Sequence, residues 1–238
     1  SEAQLKKIAP FTTDITALAQ EDRLDPVVGR NNEVDRVIEI LARKKKNNPL
    51  LLGEPGVGKS AIADALAARI VAGQVPEYLR NTRLFSISIG AVLAGAKYRG
   101  EIEERVLAIL DVVEHSDGKI LIFIDEIHMI IGAGNPEGGA DIANLIKPKL
   151  ASGELRCIGA TPESEFRKFF SRDAALERRF QPVQIAEPSE SVAVEILKGI
   201  RTLYESHHGV QIADDAITAA VSMSDKYIPS RRLPDKAI

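Results

Sequence analysis

The sequence predicts an α/β sandwich, a parallel sheet covered by helices on both faces, followed by a small helical domain. Three observations predict it. Gly53-Glu54-Pro55-Gly56-Val57-Gly58-Lys59-Ser60 has the G-x-x-x-x-G-K-[ST] spacing of a phosphate-binding loop, and it lies between a short apolar run at 49–52 and a helix-forming run at 61–68. Residues 120–124 form a continuous apolar run closed by Asp125-Glu126, which suits a central parallel strand buried on both faces. Strand and helix patterns alternate as far as about residue 187, and only helical patterns follow.

Taken in order, residues 1–30 show little apolar rhythm. Thr13 or Asp14 is placed to cap a short helix running to Leu18, and Pro26 makes the segment from Leu24 to Arg30 extended and turning. Residues 33–43 form an amphipathic helix with Val34, Val37, Ile38 and Leu41 on one face. Lys44-Lys45-Lys46 follow it, and they read as a solvated cap where cations suit a helix C-terminus. The helix after the phosphate loop ends near Gly73. Residues 84–89 alternate as a strand, and 102–113 form a helix with Ile102, Val106, Ile109, Leu110 and Val113 on one face. A glycine-rich loop is expected at 132–140, then a helix to about Leu150 that Pro148 bends or shortens. Residues 155–160 and 183–186 read as strands. Residues 192–204 and 216–228 read as helices beyond a domain boundary near residue 188. This division gives a large domain over 1–188 and a helical lid over 189–238, expected to be truncated because a further helix begins near Ile238. A first residue Ser1 is expected of a piece of a longer protein.

Composition narrows the function. The net charge of −3 argues against a generally basic nucleic-acid surface. No apolar run approaches membrane-spanning length, and no signal-peptide pattern is present. Cys157 is the single cysteine, so no intrachain disulfide forms. It reads as a small buried apolar residue in a reducing, cytoplasmic compartment.

The chemistry begins with the glycine loop. Glycines let backbone N–H groups approach phosphate oxygens, and the following helix points its positive end at the same anion. Lys59 is placed to reach the β- and γ-phosphates, and Ser60 to hold Mg²⁺. Asp125, at the end of a buried strand, is placed to hold the same ion through water, and Glu126 to polarise a water for attack on the γ-phosphate. Alone, an acidic pair closing a strand says little; joined to the loop upstream, it distinguishes a hydrolase from a nucleotide-binding switch. Both motifs lie where such sheets carry their sites, beyond the carboxyl ends of the strands.

These residues carry a resemblance. The chain resembles the first ATPase module of the Clp family of AAA+ unfoldases and disaggregases. The similar stretches are Leu24-Asp25-Pro26-Val27-Val28-Gly29-Arg30, the phosphate loop, Gly95-Ala96-Lys97-Tyr98-Arg99-Gly100, Phe123-Ile124-Asp125-Glu126-Ile127-His128, Asp173-Ala174-Ala175-Leu176-Glu177-Arg178-Arg179-Phe180, and Arg232-Leu233-Pro234-Asp235-Lys236-Ala237-Ile238. They cover nearly the whole chain in family order. The resemblance implies a P-loop NTPase domain with a five-stranded parallel sheet in an αβα sandwich, a helical lid, and a homohexameric ring with ATP between subunits. It implies that Arg178 and Arg179 are arginine fingers acting on a neighbour's nucleotide, although read alone they suit an exposed helix end. It implies that Tyr98 lines a central pore and grips unfolded or aggregated polypeptide, with 132–140 as a second pore loop. Val27 and Val28 are implied to flank adenine, with Pro234 and Asp235 approaching from the lid. A co-chaperone or protease partner would dock on other parts of such a protein.

One departure matters. The family usually has two consecutive threonines after Gly-Ala, the second sensing the γ-phosphate, whereas this chain has Gly159-Ala160-Thr161-Pro162. Proline brings neither hydroxyl nor N–H, so sensing falls to Thr161 or is weak. Two readings therefore stand: an ATP-hydrolysing motor that threads polypeptide, or a nucleotide-binding module that mainly promotes assembly. A DNA-directed machine shares the phosphate loop, but the acidic balance and the Gly-Ala-Lys-Tyr-Arg-Gly stretch count against it. His128, His207 and His208 have no metal-ligand spacing and read as structural.

Overall fold

The computed structural model describes residues 2–96, 98–131, 139–152 and 155–238. A six-stranded sheet, in the order β1-β3-β4-β5-β2-β6, forms its centre. The five strands β2 (Asn48–Leu52), β3 (Arg83–Ile87), β4 (Ile120–Ile124), β5 (Cys157–Thr161) and β6 (Phe180–Gln184) are mutually parallel. The sixth, β1 (Thr12–Asp14), adds an antiparallel edge to β3, with Thr12 opposite Ile87 and Asp14 opposite Phe85. The five-stranded parallel sheet is thus present, and the extra strand corrects its count. Three residues without an apolar run leave no periodicity to read; pairing with β3 alone makes them a strand.

The central strands are apolar because both faces are covered. Alternate residues go to opposite sides: Leu50, Leu52, Ile120, Ile122 and Ile124 join one core, and Leu51, Leu121 and Phe123 the other. The second core is closed by α3 (Asn31–Leu41) and α4 (Lys59–Val71), the first chiefly by α6 (Arg99–Glu114) and α8 (Gly139–Ser152). Short helices fill the connections: α1 (Glu2–Ile8), α2 (Ile15–Gln20), α5 (Ile89–Leu93) and α7 (His128–Ile131). Asp14 caps α2, its Oδ1 accepting from the Ala17 N–H at 2.9 Å. Pro148 lies inside α8, as expected of the run before Leu150.

The last strand begins three residues earlier than its apolar pattern suggests, at Phe180. It is an edge strand paired only with β2, so Pro182 is tolerated within it and two-sided burial is not required. Before it lie α9 (Glu163–Glu165) and a π-turn at Phe166–Phe170, neither of which the sequence pattern foretells, and α10 (Ala174–Glu177), the helix whose end Arg178 and Arg179 suit. Cys157 is fully buried in β5, and burial pushes its thiol well above the usual range. The helices α11 (Glu190–His208) and α12 (Asp214–Tyr227) pack on a separate small core of Ala193, Leu197, Ile217, Val221 and Leu233. Leu203 of α11 stays half exposed.

Candidate nucleotide-binding site

The phosphate loop joins the end of β2 to the start of α4. A side chain at Gly53 would put its Cβ 2.6 Å from the Ile185 carbonyl oxygen, so the chain can turn there only without one. Gly58 caps α4 at φ +92°, and Gly56 turns at φ +85° against the side chain of Asp235. Val57 is buried in the core and anchors the loop's middle. Lys59 opens the helix, and its Nζ donates to the carbonyls of Gly53 at 3.0 Å and Glu54 at 3.1 Å, holding the amine inside the loop.

The second motif meets the first. The Ser60 hydroxyl donates to Asp125 Oδ2 at 3.3 Å. Asp125 Oδ1 accepts the Glu126 N–H at 3.0 Å, and Glu126 holds φ +49°, a left-handed conformation uncommon outside glycine. The two oxygens of Ser60 and Asp125 form a hard-donor pair of the kind that binds Mg²⁺ alongside phosphate and water. Among the described residues no cluster of three or more His, Cys, Asp or Glu is placed to hold a metal ion. Pro234 and Asp235 reach over from the lid, and with the loop and the acidic pair they line one cleft of about 340 Å³.

Thr161, the last residue of β5, is fully buried beside the root of the loop, its carbonyl accepting from Gly53 N–H at 3.4 Å. Its hydroxyl is 3.1 Å from His128 Nδ1, and it is not among the residues lining the cleft. Pro162 next to it precedes α9, its carbonyl accepting from Phe166 N–H at 3.0 Å. Val27 and Val28 are half-buried on the lid side: Val28 lies 3.5 Å from the place a Cβ on Gly199 of α11 would take. They do not line the phosphate cleft.

Arg178 and Arg179 are not brought to this cleft. They follow α10 and precede β6, at the amino ends of the strands, where they line a surface groove with Lys44, Lys45 and Lys46. The lysine run is therefore more than a helix cap, although its side chains are exposed as expected. Among the described residues none of these five cations makes an ion pair. Tyr98 precedes α6 and is 74% exposed; Lys97 beside it, and 132–138 of the expected second pore loop, lie outside the described residues.

Two residues to which the sequence reading gave no role support the cleft. Arg30 is buried and donates to the Val57 carbonyl at 2.7 Å and the Ala186 carbonyl at 2.9 Å, tying the phosphate loop to the chain just after β6, while Glu33 pairs with it at 2.8 Å. Glu187 accepts the Leu233 N–H at 2.8 Å and pairs with Lys236 at 3.2 Å, holding the turn that carries Pro234 and Asp235. Their only signal was position within a quoted stretch or at the domain boundary. On α4, Asp64 is pushed up to about 6, first by burial and then by the like charge of Asp25.

Comparison with known proteins follows this geometry. The model of the AAA family, "ATPase family associated with various cellular activities", matches residues 49–186, and that of an AAA lid domain matches 189–238. The chain is 55% identical over 238 residues to the chaperone protein ClpB of Rhodopirellula baltica, covering all of this chain and 27% of that protein. It is 54% identical to the negative regulator of genetic competence ClpC/MecB of Bacillus subtilis, covering 29% of it. Among solved structures, an S. cerevisiae Hsp104–ADP complex matches with TM-score 0.89 and 46% identity over 97% of this chain and 39% of that one. An extended Hsp104–casein complex matches with TM-score 0.85 and 46% identity, again over 97% of this chain and 39% of its own. The chain thus spans less than a third of the length of the curated relatives named here. With a phosphate loop, an acidic pair and a lid meeting in one cleft, and the AAA model matching more than half of its length, the chain belongs to the AAA ATPases, and it is similar to the ClpB and ClpC proteins among them.

Proposed function

We propose that this chain is the first ATP-hydrolysing module of a ring-forming protein unfoldase or disaggregase, with a nucleotide domain over 1–188 and a lid over 189–238. The observation that carries the reading is the Ser60–Asp125 hydrogen bond with Glu126 adjacent, which joins the two nucleotide motifs in one cleft. ATP lies with its phosphates on the loop and Lys59. Ser60 and Asp125 would hold Mg²⁺, which would neutralise charge on the phosphates. The oxygen of a water attacks the γ-phosphorus as its bond to the bridging oxygen breaks. The water's proton passes to the Glu126 carboxylate, and ADP and phosphate leave. Val27, Val28, Pro234 and Asp235 enclose the base and ribose from the lid side.

Arg178 and Arg179 serve the cleft of the next subunit, where a guanidinium stabilises charge on the transferring phosphoryl group. Tyr98, exposed on the connection into α6, grips polypeptide in the pore by ring contact. Casein accompanies Hsp104 in two of the similar structures and relatives such as ClpB are chaperones, and both favour a motor over an assembly module. The compartment that fits is the cytoplasm; among the described residues no helix is long and apolar enough to cross a membrane. The test is Glu126→Gln in the assembled full-length protein, with hydrolysis at any second ATPase module silenced. ATP should bind within about threefold of the parent, and turnover should fall at least about a hundredfold, because the amide is a poor base. Parental turnover would remove Glu126 from the mechanism.

A further inference from the structure

The backbone of Glu126 is well fixed. Its N–H is held by Asp125 Oδ1 at 3.0 Å and its carbonyl accepts from Met129 N–H at 2.8 Å. The next residue, Ile127, is fully buried. It donates its N–H to the Ala160 carbonyl at 3.0 Å and packs its side chain where a Cβ on Gly159 would stand, 3.1 Å away. The turn after β4 is therefore clamped to the end of β5. The carboxylate itself is less constrained, since the Glu126 side chain is 41% exposed. Among the described residues, the partner within reach of it is His128, whose Nδ1 is 3.5 Å from Glu126 Oε2.

That same nitrogen is 3.1 Å from the hydroxyl of buried Thr161. Thr161 pairs with Leu52 across the β5–β2 ladder and bonds through its carbonyl to Gly53. A continuous path of contacts thus runs from the root of the phosphate loop through Thr161 and His128 to the carboxylate. One ring nitrogen carries at most one proton. With Nδ1–H present, it is available to Glu126 and Thr161 as a donor. Without it, Nδ1 accepts the threonine hydroxyl and leaves the carboxylate untethered.

We propose that His128 is the positioning residue for Glu126: its Nδ1–H restrains one carboxylate oxygen so that the other faces the attacking water, and Thr161 sets the ring. Thr161, one residue before the usual sensor position that Pro162 occupies, then acts on the nucleotide indirectly, through the base. This inference rests on the reading of Glu126 as the base.

The experiment is steady-state ATP hydrolysis by the assembled full-length protein, with any second ATPase module silenced and nucleotide affinity measured for each variant. His128→Ala should lower kcat about tenfold with KM for ATP within about twofold, as expected for a group that acts only in the chemical step. An asparagine amide superposes on Nδ1, whereas a glutamine amide reaches toward Nε2. His128→Asn should therefore recover most of the loss and His128→Gln little of it, a difference that mere filling of space would not produce. Thr161→Val should lose about threefold. Combined with His128→Ala it should add nothing, because the two residues act in one path. Parental kcat in His128→Ala alongside a slow Glu126→Gln would overturn the proposal and leave the base in place. Equal rescue by Asn and Gln, or an additive double variant, would also overturn it. Parental turnover in Glu126→Gln would overturn both.

Discussion

At the carboxyl ends of its parallel strands the sheet presents the phosphate loop, Asp125-Glu126 and Thr161. At the amino ends it presents cations: Lys46 two residues before β2, Arg83 at the start of β3, and Lys119, Arg156 and Arg179 immediately before β4, β5 and β6. The two ends differ because a crossover helix runs back against its strands. Helix N-termini collect at the carboxyl end, where they favour phosphate, and helix C-termini collect at the other, where they favour Lys and Arg. One end is built to take a nucleotide. The other gathers Arg178 and Arg179 beside Lys44–Lys46, five cations that make no ion pair among the described residues, whereas Arg83 pairs with Asp14. A single copy cannot bring its own arginines to its own cleft, and a head-to-tail ring of copies can.

Replacing a basic group at each end tests this contrast. Lys59→Ala should cost the greatest effect, about a hundredfold or more in ATP affinity of the chain itself, or about 3 kcal/mol, through loss of a charge-assisted phosphate contact. Titration with a fluorescent nucleotide measures it, and unchanged affinity would mean that the phosphates lie elsewhere. Arg178→Ala should leave that titration unchanged, yet slow hydrolysis in the assembled full-length protein by about thirtyfold, as the role proposed for it at a neighbour's cleft requires. Weakened binding in the unassembled chain would place the arginine in its own cleft and end the comparison.

A smaller effect sharpens it from the stability side. Asp64, raised to about 6 in the folded chain, holds its proton more tightly there than when unfolded. Between about pH 4 and 6 the folded state therefore binds more protons, so this group's contribution falls as pH rises and its full cost is reached above its folded value. The limit is about 3 kcal/mol, reduced to about 1–2 by partial solvent screening. Asp64→Asn should be more stable than the parent at pH 7.5 and lose most of that advantage by pH 4.5, read as urea midpoints. A constant difference across that range would show that Asp64 does not titrate as described.

The parts of the site legible in the sequence are those whose signal is local. Gly53 to Ser60 is a spacing motif, and the run ending in Asp125-Glu126 shows a strand that must be buried on both sides. The helices around 33–43, 61–72, 102–113 and 192–204 repeat their apolar residues every three to four positions. By contrast, β1 and the turns between 163 and 177 carry no period, since edge pairing and chain reversal ask little of side chains.

Motif spacing and hydrophobic period are properties of neighbours along the chain, so the class of fold, the order of its main strands and helices and the candidate residues of the phosphate site can be read from the sequence. Only the tertiary structure decided which of them meet. Lys44–Lys46 reach Arg178 and Arg179 because β6 pairs with β2. Thr161 reaches His128 because β4 and β5 lie side by side, and Arg30 reaches both Val57 and Ala186 because the loop and the last strand end together. Strand order and register set these distances, and they come from burying both faces of the sheet at once, a condition on the whole chain that no local window contains.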